Sequence, residues 1–134
     1  MIRLLLSLLG LLSFVPLAAQ LIVSTLRGTA VDQTGAVVVN AEIKIVGTET
    51  NLTRTVNTNE NGDFEIVDLP RGTYRLTGAH PGFKTFVAEN IVLESSQIRR
   101  VDVAFELGAT GVEVTVKADA AVLTTESGKN SDYL

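Results

Sequence analysis

The chain has no cysteine and no tryptophan, a single histidine and a single methionine, and only three prolines in 134 residues. Without cysteine there is no disulfide framework, no thiolate metal site and no attachment point for an N-terminal lipid, so a folded domain here rests on its apolar core alone. One histidine, His80, excludes the paired imidazoles of an HExxH zinc site, and its place before Pro81 and Gly82 reads as a turn. Positive charge is also scarce: 11 basic residues face 15 acidic ones, a net charge of −4, which makes nucleic acid a poor partner. Stacking on sugars needs exposed rings, yet there is no tryptophan, and Phe64, Tyr74 and Phe105 fall on inward faces, with Phe83 and Phe86 undecided. Nothing in this composition marks a catalytic, metal or cofactor site.

What is abundant is apolar surface, and part of it sits at the start. Arg3 precedes an apolar run from Leu4 to Val15, which Pro16 breaks before Leu17, Ala18 and Ala19. That order predicts a secretory signal peptide over residues 1–20, and hence an exported chain. Leu4 to Val23 is also about long enough to serve as an uncleaved membrane anchor. Loss of Arg3 with the leader leaves 10 basic residues against 15 acidic, a formal charge of −5.

From Leu26 onward the apolar positions alternate, with turn residues every eight to twelve positions. This predicts an all-β domain over 21–108, a sandwich of about seven strands whose apolar faces meet. The strongest strand signal is Val101–Leu107, with Val101, Val103, Phe105 and Leu107 facing inward. Ala41–Ile45, Phe64–Ile66 and Tyr74–Thr77 follow the same rule, and weaker strands are expected over 25–32, 52–58, 83–87 and 91–93. Turns are expected at Asp32–Gly35, Asn59–Gly62, Leu69–Gly72 and His80–Gly82. After Leu107 come Gly108, Gly111 and Gly128 among small and polar residues, so 109–134 reads as a flexible tether.

Several local patterns invite a chemical reading. Asn57, Asn59, Asn61, Gly62 and Asp68 have the spacing of a calcium-binding loop, but amides stand in for carboxylates and the flanks read as strands, which favours a hairpin turn. Asn51-Leu52-Thr53 matches a glycosylation acceptor, a triplet too common to carry weight. Arg99 and Arg100 read as the solvated side of a strand start. The candidate partner-binding residues are Val112, Glu113, Val114, Thr115 and Val116, a β-prone run just past the glycine break. Two arrangements fit this run: a free segment that adds itself to another protein's sheet edge, or a last edge strand of the domain itself.

Five pieces of sequence, in order, resemble the carboxypeptidase regulatory-like domain. They are Gly28–Val37; Asn40-Ala41 before Ile43 and Ile45; Thr58–Phe64; Leu69–Tyr74; and Pro81–Lys84, within residues 26–107. Arg71 stands where that family usually has a second proline. The resemblance implies a transthyretin-like (prealbumin-like) Greek-key sandwich of the carbohydrate-binding-like group. It implies no enzyme, since the catalytic domain behind the family's name is a separate module. Directly after a leader, such a domain is similar to the N-terminal extension of Oar-like TonB-dependent receptors of the bacterial outer membrane. In that setting residues 112–116 resemble the segment that pairs with an energy-transducing envelope protein, and residues 118–125 resemble the approach to a plug domain. The barrel of such a receptor is absent, so the resemblance implies a fragment, periplasmic or held at the cell outer membrane through the missing barrel. The alternative it implies is a free secreted domain that recognises glycans or cell-wall material.

Overall fold

The computed structural model of the protein describes residues 22–118. The expected leader over 1–20 and the plug approach beyond Ala118 lie outside the described residues. Every named element between them is a strand: β1 (Val23–Val31), β2 (Glu42–Gly47), β3 (Thr53–Asn57), β4 (Asp63–Pro70), β5 (Gly72–Ala79), β6 (Thr85–Leu93), β7 (Ile98–Arg100), β8 (Val103–Ala104) and β9 (Glu113–Lys117). One sheet has the order β4-β1-β7, with β8 also on β1; the other has the order β3-β2-β5-β6-β9. β7 and β8 meet successive parts of β1, Thr25 to Arg27 and then Ala30 to Val31, so they form one interrupted lane. The sandwich therefore has seven lanes built from β1 to β8, as the alternation predicts, and β9 adds an eighth.

The inner faces meet in one core. Leu26, Ala30, Phe64, Ile66, Leu69, Val101, Val103 and Phe105 from the first sheet pack with Ile43, Ile45, Tyr74, Leu76, Phe86, Ala88, Ile91 and Leu93 from the second. Phe64, Tyr74 and Phe105 are buried as their alternation requires, and Phe86 joins them; Phe83 is half-buried, its ring 5.5 Å from that of Phe105. Polar groups drawn into this interior are paired. The Thr58 hydroxyl accepts from Ala41 N–H at 2.8 Å and donates to the Val38 carbonyl at 2.6 Å, and the Ser24 hydroxyl donates to the Glu94 carbonyl. Each pairing removes the penalty of a bare buried group.

Two bulges bend this framework. Between the pairs Leu26↔Ile66 and Ser24↔Leu69, Val67 and Asp68 together oppose one residue of β1. Between Leu76↔Ala88 and Tyr74↔Ile91, Glu89 and Asn90 oppose Arg75. Asp68 and Asn90 take φ near 58°, the left-handed region that short polar side chains tolerate best. Each extra residue resets the alternation, so that both halves of β6 face the core. This is why the sequence pattern reads 83–87 and 91–93 as two strands where the fold has one.

The strongest sequence signal is also the most altered. Val101, Val103 and Phe105 are buried as expected, but Leu107 is 67% exposed and the extended pairing shrinks to Val103–Ala104. β1 ends at Val31, and Phe105 N–H donates to the Val31 carbonyl as the last rung, so the chain beyond has no strand of that sheet to follow. Upstream, the Asp102 carboxylate accepts from Thr29 N–H at 2.9 Å, replacing a ladder bond and separating β7 from β8.

Candidate functional site

β9 contains most of the partner-binding run Val112–Val116. It lies parallel to β6, with Cα pairs from Thr85↔Glu113 to Glu89↔Lys117. Of the two arrangements open to the run, the structure holds it as an edge strand of the domain. The five-stranded sheet thus takes in residues up to Lys117, within the stretch 109–134 that the sequence reads as a tether. Thr85 N–H donates to the Val112 carbonyl at 2.7 Å. In a parallel ladder alternate residues address the same neighbour, so Val114 and Val116 turn their backbone groups to β6, while Glu113, Thr115 and Lys117 turn theirs to the open edge. Val114 and Val116 are half-buried, and Val116 packs against the core beside buried Ala118. Glu113 reaches the Arg75 guanidinium at 3.7 Å, and Glu89 reaches it at 3.5 Å; both pairs are exposed and contribute little. Val87 is fully buried yet stands apart from the core cluster, with Thr77 and Thr115 as its register partners, so β9 flanks it.

A second constellation lies on the outer face of the first sheet. Arg27 has Glu65 and Arg100 as its register partners, and Thr29 has Asp63. The Thr29 hydroxyl donates to Asp63 at 2.6 Å and accepts from the Arg100 guanidinium at 2.9 Å, while Arg100 also pairs with Asp102 at 2.9 Å. Of these, Arg27, Asp63, Glu65 and Arg100 line an open groove of about 430 Å³ together with Asn59, Gly28 and Phe64. It offers charged donors and acceptors of both signs and no open aromatic ring. Among the described residues no group of three His, Asp or Glu side chains could hold a metal ion. The groove draws on three strands, β1, β4 and β7, and a turn, so nothing local in the sequence marks it beyond the outward phase of Arg27, Glu65 and Arg100.

The calcium-like spacing is a turn. Asn59 Oδ1 accepts from Asn61 N–H and Asp63 N–H, Gly62 N–H donates to the Asn59 carbonyl, and Gly62 takes φ 75°. Asn57 donates to Asn40, and Asp68 sits in the β4 bulge, so the five residues do not converge. At the first turn, Asp32 accepts from the Thr34 hydroxyl and from Thr34 and Ala36 N–H, bonds that hold its carboxyl below the usual carboxylate range. Tyr74 donates to the Pro70 carbonyl at 2.5 Å across the single residue separating β4 from β5, and burial pushes its hydroxyl above the ordinary tyrosine value, against a smaller pull from the Arg54 charge. His80 stacks edge-on to Phe83 at 5.7 Å, in keeping with its expected place in a turn.

Known proteins place this geometry. The chain is similar in fold to a streptococcal ancillary pilin (17% identity, TM-score 0.51, 66% of this chain and 33% of that one). It is similar to a protein of Bacteroides uniformis described as a candidate carbohydrate-binding protein (20%, 0.51, 61% and 40%). It is also similar to a catechol 1,2-dioxygenase of Acinetobacter radioresistens (11%, 0.52, 67% and 53%). At these identities the likeness is one of fold, and the match takes in between a third and about half of each solved chain. One sandwich thus underlies a pilin, a candidate binding protein and an enzyme, so the fold does not select the function. No curated protein matches the chain. The family model of the carboxypeptidase regulatory-like domain matches residues 25–106, the span from the second residue past the start of β1 to the last rungs beyond β8. The chain belongs to the carboxypeptidase regulatory-like domain family, whose sandwich is a regulatory and binding module without catalytic machinery of its own.

Proposed function

We propose that this chain is the periplasmic N-terminal extension of a TonB-dependent outer-membrane receptor, with Val112–Val116 offering a strand to the energy-transducing partner. The observation that carries the reading is β9: the run is already extended, at the open end of a sheet and just beyond the family's span. Strand addition gains affinity when the added strand need not first be ordered. The expected leader ahead of the sandwich supports export. Immobilised chain should retain the purified periplasmic domain of TonB. Val114→Pro, which removes an N–H directed at β6, should undock β9 and lose that retention. If wild-type chain retains no TonB domain, the partner assignment fails. A second check is the reading frame beyond Leu134, which should continue into a plug and barrel; a stop codon there with no receptor gene nearby would remove the receptor setting.

The groove beside Arg27 favours a second reading, a domain that recognises glycans or cell-wall material through paired guanidinium and carboxylate groups. A glycan array probed with wild-type chain and Arg27→Ala separates the two: binding that the substitution abolishes favours the glycan reading, and a flat array ends it.

A further inference from the structure

Among the described residues no strand pairs the outer edge of β9, and the charge order of that edge is complementary to its own reverse, acidic at Glu113, neutral at Thr115 and basic at Lys117. Glu113, Thr115 and Lys117 turn their backbone groups outward, and their side chains share the outer face of the sheet. Placed antiparallel to a second β9 about a two-fold axis through Thr115, this edge matches itself. Glu113 of each copy faces Lys117 of the other, Thr115 faces Thr115, and all six outward residues fall in hydrogen-bonded register. Opposite charges and threonine pairs directly across a ladder are among the favourable cross-strand combinations. On the inner face the same register sets Val114 of one copy against Val116 of the other, and both side chains are only half-covered within one copy. β3, at the far end of this sheet, lacks the pattern, because its single charged residue is Arg54.

We infer that β9 is a self-complementary edge through which two copies of the chain associate, joining their five-stranded sheets into one continuous sheet. Isologous pairing of this kind closes on itself and stops at two copies. The inference does not depend on the receptor reading, although the same edge is the one a partner strand would use, so self-association and partner binding would exclude each other.

Sedimentation velocity on the purified chain tests it, over a series reaching about 1 mM because a single edge-to-edge contact is a small interface. The expected result is a reversible monomer–dimer equilibrium. Thr115→Pro removes an outward N–H while leaving the bonds to β6, and should hold the chain monomeric with an unchanged circular dichroism spectrum. Glu113→Lys opposes two like-charged pairs and should raise the dimer dissociation constant about tenfold. Adding Lys117→Glu restores opposite charges across the two-fold and should return the constant to near the wild-type value, even though the contact of residue 113 with Arg75 stays lost. A chain that remains monomeric throughout the series overturns the inference, as does a dimer indifferent to Thr115→Pro or a double variant no tighter than the single one.

Discussion

At the scale of single residues, three positions, Gly28, Gly35 and Tyr74, carry constraints of different size. A Cβ on Gly28 would lie 1.9 Å from the Val101 carbonyl oxygen and 2.9 Å from the Phe64 ring, so the β1 backbone passes where no other residue fits. Gly28→Ala should cost about 3 kcal/mol or more in denaturant unfolding, since backbone on the far side must move. Gly35→Ala, at φ 84° with nothing near the added atom, should cost about 1 kcal/mol. Tyr74 carries a pH dependence whose sign follows from its burial. Its folded-state pKa lies above the ordinary value of 10.0, so the stability gained by keeping it neutral is complete below that pH and is lost as pH rises through the folded value. Tyr74→Phe gives up the bond to Pro70, about 1 kcal/mol at pH 7, but should lose less stability than wild type between about pH 10 and 12. Urea unfolding at pH 7 and pH 11 checks both parts; parallel losses in the two proteins would mean that Tyr74 does not titrate with unfolding.

At the scale of elements, the bulges matter more than strand length. Because Asn90 occupies the left-handed region, a β-branched residue there is strained while glycine is not. Asn90→Val should destabilise by about 1–2 kcal/mol and Asn90→Gly by little, a contrast measurable by thermal unfolding. Equal losses would show that the side chain, and not its φ, is what β6 needs. The alternation of 83–87 and of 91–93 is legible in the sequence, but the two runs are out of phase. Only the pairing of β5 with β6, where Arg75 meets two residues, shows that they form one strand. Leu107 fails for a related reason: its phase points inward, but the neighbouring lane stops at Val31.

For the whole molecule, β9 is an addition to a domain that is otherwise closed. The family's span ends at residue 106, and apart from Val116 and Ala118 the core cluster lies before it. A chain ended after Gly108 should therefore still fold and unfold cooperatively, losing on the order of 2 kcal/mol as Val87 and the β6 edge open to water. Circular dichroism and denaturant melts check this; a truncated chain without a cooperative transition would make β9 integral to the sandwich. The truncation should also abolish retention of the TonB domain and dimer formation together, since both use residues 113–117.

By itself the sequence determined the class of the molecule. Alternating apolar residues separated by turn formers dictate two sheets with one shared core, and the order of five motifs marks the family, because these are properties of neighbours along the chain. The tertiary structure decided what lies at its surface. Val112–Val116 is equally β-prone free or docked, and only the edge of β6, whose register partners lie 28 residues earlier in the chain, makes it a strand of the sheet with Glu113, Thr115 and Lys117 turned outward. Arg27, Asp63, Glu65 and Arg100 come together in the same way, through pairings between distant strands that no local pattern encodes.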